Sequence, residues 1–257
     1  MPATCVTAFY EIGREGVDGR RVSDYKQWLM KTLSTIRDPF VLYLDSSLGW
    51  RNEVLEARAN VGPIDIRETA LTDVPTWKYR DRIAAILADP AFRARQKHPR
   101  DRGNLLPEYC MILHSKFGWI DDAIERNPFG TSHFAWLDAG SSRFYDTSRM
   151  YTARPNLPDT FAIEVNYRKH LLGTLDPKSY IGSSECILHG TMWVLTPRAY
   201  KIVRDETMRI FVDEMVGKCG IDNDQITLAL AYPVVKDSMT LIDAKSHGTV
   251  FFNTFFS

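Results

Sequence analysis

The chain has 257 residues, with 32 Lys+Arg against 32 Asp+Glu and a formal net charge of zero. That length suits a single domain, and the charge balance argues against a general nucleic-acid binder. Hydrophobic residues make up 44% and aromatics 12%, too many for a disordered chain. The longest strongly apolar stretch, Ile226–Val235, carries Pro233 and is too short to span a bilayer. The start, Met1-Pro-Ala-Thr-Cys5, lacks the basic and apolar regions of a secretory signal. Cys5, Cys110, Cys186 and Cys219 are scattered and form no C-x-x-C pair. They read as reduced thiols in a cytoplasmic protein, not as a zinc site.

Thr4–Tyr10 is β-branched and aromatic and reads as a first buried strand running into Gly13. A polar, glycine-containing loop to Arg21 follows. Ser23 or Asp24 is placed to cap a helix through Tyr25, Trp28, Leu29, Leu33 and Ile36. Asp38-Pro39 stops that helix, and Phe40–Leu44 is a second buried strand with Asp45 at its carboxyl end. Strand, helix, strand at this spacing is a βαβ unit, so a mostly parallel sheet flanked by helices is expected. Ile64–Ile66 is a strand candidate and Thr76–Ala88 reads as helix. Lys78 to Arg102 holds eight Lys/Arg against three Asp; it is either a solvated helical face or a positive rim for an anionic substrate.

Pro107 opens the clearest helix, with Tyr109, Ile112, Leu113, Lys116, Phe117, Ile120 and Ile124 at helical spacing. Lys116 lies inside that apolar stripe, where it either snorkels from the edge or meets an anion. Asn127-Pro-Phe-Gly130 ends the helix, His133–Leu137 is a buried strand, and Asp138-Ala-Gly140 follows. Ile187–Leu195 is another strand candidate. Pro197 opens a long amphipathic helix towards Val216, and Asp222-Asn-Asp-Gln225 starts a further one.

Asp138 is the most informative residue. Ligands of open α/β sheets bind outside the carboxyl ends of strands. A carboxylate there suits a divalent metal, while Ala139 and Gly140 leave room for a bulky anion; the alternative is a turn or helix-capping aspartate. His247, beside Gly248 in a polar turn, is either a second metal ligand or a surface histidine. Asp222 and Asp224 are either capping residues or a general base on a rigid turn. His189 and Gly190 line a sugar pocket or an ordinary strand. Walker A, G-x-G-x-x-G and G-x-S-x-G motifs are absent from the sequence. Tyr43-Leu-Asp45-Ser-Ser47 begins like an aspartyl-phosphate motif, but Ser47 stands where the second aspartate belongs.

Thr7-Ala-Phe-Tyr-Glu-Ile-Gly-Arg14, Leu106-Pro-Glu-Tyr109, Ser115-Lys-Phe117, Ala123-Ile-Glu-Arg-Asn-Pro-Phe129 and Phe134-Ala-Trp-Leu-Asp-Ala-Gly140 together resemble the bacterial HtrL/YibB-type family, which looks like glycosyltransferases of the GT-A fold. The resemblance covers residues 1–140 well. It implies a single GT-A-like (Rossmann-like) α/β domain over 1–257. Its 1–140 half would bind nucleotide sugar and metal. Its 141–257 half would bind acceptor, with a C-terminal segment returning to the metal. Further implied are Mn²⁺ or Mg²⁺ held by Asp138 and His247, and a nucleotide-sugar donor, UDP-linked by analogy. Arg14, Asp45, Lys116, Ala139, Gly140, His189 and Gly190 would line the donor site. The acceptor would be a glycan, polysaccharide or glycolipid. Asp224, with Asp222 in reserve, would be the base of an inverting transfer. Such families usually carry Asp-x-Asp; here Gly140 replaces the second aspartate. The expected location is the cytoplasm, with the 78–102 stretch able to meet a membrane surface. Rival expectations are a non-catalytic nucleotide or carbohydrate binder and a nucleotidyltransferase or phosphohydrolase on a similar sheet.

Overall fold

The first strand, β1 (Ala3–Phe9), is buried at every position, so both its faces carry apolar or small residues rather than an alternating pattern. In the computed structural model, which describes residues 3–101, 105–155, 157–244 and 248–257, it pairs in parallel with β2 (Phe40–Asp45) on one side and β4 (His133–Leu137) on the other. One turn of helix, α1 (Glu15–Asp18), sits between Gly13 and Gly19, both at positive φ, a conformation that glycine adopts without a Cβ penalty. Helix α2 (Val22–Thr35) then returns the chain to β2. Its acid sits one turn in rather than at the cap: Asp24 accepts the backbone N–H of Arg21 at 3.2 Å.

Helix α3 (Arg51–Arg58) leads to β3 (Ile64–Thr69), which runs beyond the expected Ile64–Ile66 and pairs in parallel with β2. The Thr76–Ala88 expectation resolves into a 3₁₀ turn and α4 (Arg80–Ala88), followed by α5 (Pro90–Arg95). Helix α6 (Pro107–Arg126) has Pro107 in its first turn and ends at Asn127 with φ 34°. Beyond β4 come β5 (Phe161–Val165), α7 (Pro177–Tyr180), β6 (Leu188–Leu195), α8 (Pro197–Arg209), α9 (Asp224–Val235), β7 (Met239–Asp243) and α10 (Thr249–Phe255). The α8 helix is not continuous to Val216: Ile210–Val216 is π-helical.

Among the described residues, seven strands form one sheet in the order β3-β2-β1-β4-β6-β5-β7. Only β6 runs against its neighbours, so the α/β, mostly parallel, single-domain expectation holds. β5 and β7 had no counterpart in the sequence reading. Glu164 breaks the apolar run of β5, yet it is buried because Nδ1 of His189 and the backbone N–H of Gly248 meet its Oε2 at 2.7 and 2.8 Å.

Side-chain alternation along β1 divides the core. Ala3, Cys5 and Phe9 face a layer with α2, α3 and α10, including Phe251, Phe252 and Phe255. Val6, Ala8 and Tyr10 face the layer of α4, α6, α8 and α9. Both layers draw on residues from 1–140 and from 141–257.

Candidate active site

The chain moves outward from β1 to β2 and β3, then returns through α6 to lay β4 on the opposite side of β1. At such a reversal the loops leaving the two adjacent strands diverge and open a crevice at their carboxyl ends. A cavity of about 340 Å³ lies there. Tyr10, Ile12 and Arg14 reach it from beyond β1, and Asp138, Ala139 and Gly140 from beyond β4. Helix α6 runs back down the sheet, so its opening turns also face the cavity, with Tyr109, Ile112, Leu113 and Lys116. Because β6 is antiparallel to β4, it begins beside the end of β4. The N–H of Asp138 donates to the carbonyl of Thr191 at 2.9 Å, and Thr191 joins the lining with Gln225 from α9.

At the floor, Lys116 is buried and its Nζ lies 3.0 Å from Asp138 Oδ1 and 2.9 Å from Asp224 Oδ2. It also donates to the Gly190 carbonyl at 2.9 Å. The rings of Trp136 and Trp193 lie 5.5 and 5.4 Å from the ammonium. Burial pulls the Lys116 ammonium down, but Asp138 and Asp224 outweigh it and hold it above its ordinary value. Lys116 is therefore a locked internal cation, neither snorkelling nor free to leave its carboxylates. The indole N–H of Trp136 donates to the same Asp138 Oδ1 at 2.7 Å.

Asp224 is fully buried. Burial pushes its carboxyl up to about 6; Lys116 pulls the other way, and Asp138 adds a repelling charge. Its Oδ1 has no hydrogen-bond partner among the described residues. Two carboxylates thus share one ammonium, and the buried Asp224 holds its proton more tightly than a free carboxylate does. A Cβ on Gly190 would stand 2.6 Å from Asp224 Oδ2, so only glycine admits the carboxylate this close to β6.

Three guanidinium groups line the same cavity: Arg14, Arg20 and Arg143. Arg14 donates to Asp18 and to the Tyr25 hydroxyl, and its guanidinium lies 5.1 Å from the Tyr109 ring centre. Arg20 reaches the Tyr25 hydroxyl at 3.4 Å. Arg143 donates to the Gly140 carbonyl at 2.8 Å and covers the Trp28 ring at 4.5 Å. Burial lowers the Arg143 pKa, and the charges of Arg20 and Arg14 add to that direction.

Of the residues singled out in the sequence, Arg14, Lys116, Asp138, Ala139 and Gly140 line the cavity, with Gly190 and Asp224 directly beneath it. Three others stand apart. Asp45 accepts the N–H groups of Ser47 and Glu11 at 2.9 and 3.2 Å and closes a turn after β2. Asp222 is buried and accepts the N–H groups of Gly182, Ser184 and Asn223 at 2.8, 3.1 and 2.9 Å. His189 pairs with Glu164 on the β5–β6 edge. Asp222 and Asp224 do not cap α9; Asn223 does, accepting the N–H groups of Gln225 and Ile226. Asp224 was expected to take a proton from an acceptor, but it is fully buried and absent from the cavity lining.

His247 lies outside the described residues. Among the described residues, no three Asp, Glu, His or Cys side chains converge in a way that could hold a metal ion. Among the described residues, Asp138 is the one carboxylate that lines the cavity, and its Oδ1 already takes an ammonium and an indole N–H. The donor set described does not fit a divalent cation.

The basic stretch falls elsewhere. Arg82 and Arg95 donate to the carbonyls of Val216 and Cys219, and Lys97 pairs with Glu185; these groups hold 80–97 against the 185–219 region rather than forming a rim of this cavity. The sequence reading missed Arg20, Arg143, Thr191 and Gln225. The one local signal for Arg143 was a cation within a turn of the small residues that follow Asp138.

The architecture resembles, at low identity, two solved glycosyltransferases. Core-mannan synthase A from Aspergillus fumigatus in its Mn/GDP form is 8% identical, with 94% of this chain and 73% of that chain covered and a TM-score of 0.46. Mouse xyloside xylosyltransferase 1 in its apo form is 11% identical, with 94% and 85% covered and a TM-score of 0.43. Likeness of that depth assigns no donor, acceptor or metal. No curated protein matches the sequence. The HtrL_YibB family, described as a bacterial protein of unknown function, matches residues 1–256, and the chain belongs to that family.

Proposed function

We propose that this protein is a glycosyltransferase that takes a sugar from a nucleoside-diphosphate sugar, UDP-linked in the first instance, and passes it to a glycan, polysaccharide or glycolipid hydroxyl. The observation that carries the reading is the cavity at the reversal between β1 and β4, where Asp138 and three arginines face one space of about 340 Å³. That space combines cations for a diphosphate, aromatic rings for flat groups, and a single carboxylate. Tyr25, Tyr109 and Trp119 supply the rings.

In the transfer, the acceptor oxygen attacks C1 of the donor sugar. The C1–O bond to phosphate breaks and its electron pair leaves on the diphosphate. The hydroxyl proton passes to a carboxylate. Asp138 is the carboxylate that faces the cavity, and the ammonium of Lys116 and the indole of Trp136 orient it. Asp224 acts through Lys116, holding the ammonium against Asp138. The fit of the described residues gives Mn²⁺ or Mg²⁺ no step here.

The test is release of free UDP or GDP from a panel of nucleotide sugars by wild type and Asp138→Ala, without added acceptor. Release from one donor, lost in the variant, supports the reading. Release unchanged in Asp138→Ala, or no thermal stabilisation by any nucleotide, refutes it.

A further inference from the structure

We propose that Arg14, Arg20 and Arg143 supply the counter-charge for the donor diphosphate in place of a divalent cation, a reading that rests on the nucleotide-sugar assignment above.

The first observation is where the cations lie. The space between Asp138 and Asp224 is filled by the Lys116 ammonium, within hydrogen-bond distance of both. A divalent ion drawn to Asp138 would meet that fixed positive charge, and the buried ammonium has little water around it to screen the repulsion. The second observation concerns Gly140. A Cβ built there would stand 2.8 Å from Arg143 Nη2 and 3.1 Å from its Nε. Where an Asp-x-Asp pattern would raise a second carboxylate, a guanidinium lies over the backbone instead. The absent Cβ is what lets it fold back and donate to the Gly140 carbonyl.

The third observation is charge imbalance. Arg14 is paired with Asp18, and Arg20 lies 3.9 Å from that same carboxylate. Arg143 has a carbonyl and aromatic rings around it and no carboxylate partner among the described residues. Burial of part of its guanidinium and the charges of Arg20 and Arg14 lower the Arg143 pKa, with Tyr25 and Asp138 pulling the other way. An anion in the cavity would relieve that repulsion. Guanidinium forks match phosphate oxygens two at a time. As the C1–O bond breaks and its electron pair moves onto the diphosphate, the charge develops beside groups already in position to receive it.

The experiment measures binding of UDP and GDP by calorimetry, and their release from nucleotide sugars, in EDTA and in Mn²⁺. It uses wild type, Arg143→Gln, Arg20→Gln and Arg143→Lys, with circular dichroism to confirm folding. The expected result is diphosphate binding and release that persist in EDTA. Each Gln variant should weaken diphosphate binding by at least about tenfold while binding of the parent nucleoside is unchanged. Arg143→Lys should recover part of the loss, and wild-type affinity should fall as salt rises. Binding and release abolished by EDTA and restored by Mn²⁺ would overturn the proposal while leaving the transferase reading standing. Full affinity in both Gln variants would overturn it too. No nucleotide binding under either condition would remove the donor assignment itself, and this inference with it.

Discussion

Replacing Lys116 with Met keeps an unbranched apolar stem between Trp136 and Trp193 and removes the ammonium that Asp138 and Asp224 share. Asp224 is fully buried, and no other cation among the described residues pairs with it. Removing one member of a buried ion pair costs about 3–5 kcal/mol, because the remaining charge stays desolvated. The cost should depend on pH in a definite direction. Burial already lifts the Asp224 carboxyl from 3.8 to about 6, so the folded protein binds that proton more tightly than the unfolded chain does. The favourable contribution is therefore complete at acid pH and is lost as pH rises from about 4 through about 6, amounting to about 3 kcal/mol. Without Lys116 the carboxyl climbs further, and the loss extends to higher pH. Urea unfolding of wild type, Lys116→Met and Lys116→Met/Asp224→Asn at pH 5 and pH 8 measures this. The single variant should be less stable by about 3–5 kcal/mol at pH 8 and by about 1–2 kcal/mol at pH 5, where a neutral Asp224 leaves hydrogen bonds and the partly exposed pair with Asp138 to lose. The double variant should recover much of the pH 8 loss. A Lys116→Met deficit equal at both pH values, or below about 1 kcal/mol at pH 8, would refute the shared-ammonium account.

Gly190→Ala forces a methyl to within 2.6 Å of Asp224 Oδ2; a loss of about 1–3 kcal/mol should appear in thermal unfolding, and an unchanged Tm would show that the carboxylate moves freely. Arg58 is buried and donates to the carbonyls of Leu33, Ile36, Asp38, Gly62 and Pro63, so it ties the end of α2 to the loop before β3. Arg58→Met should cost about 3 kcal/mol or more in denaturant unfolding, far above the effect of the exposed-pair variant Lys201→Ala, and equal costs for the two would contradict that role.

Much of the frame is local and was readable in order. Runs rich in apolar, β-branched and aromatic residues marked β1, β2 and β4. Pro107, Asn127 and the 3.6-residue stripe marked α6, and the small residues after β4 marked Asp138 as the end of a buried strand. Each of these signals lies within one element, where periodicity, capping and steric preference act over a few residues. The same locality explains what stayed open. Asp222, Asn223 and Asp224 all suit a helix start, and only the packed structure makes Asn223 the cap, Asp222 the acceptor of three backbone N–H groups, and Asp224 the buried partner of Lys116. Asp45 and His189 carry residue types suited to a donor site, yet each is taken up by nearby groups.

The cavity itself is a product of sheet order. Lys116 and Asp224 are 108 positions apart and meet because α6 and α9 pack on one face. Gly190 reaches them because β6 runs antiparallel to β4 with Met192 opposite Leu137, so its opening residues lie beyond the end of β4. Arg14, Arg20 and Arg143 converge because β4 returns to lie beside β1, so the loops leaving both strands open at the same end. The chain's local code settled which residues form strands and helices. Which charges share a buried space depended on long-range pairing, because the cost of burying a charge is set by neighbours that the linear order does not name.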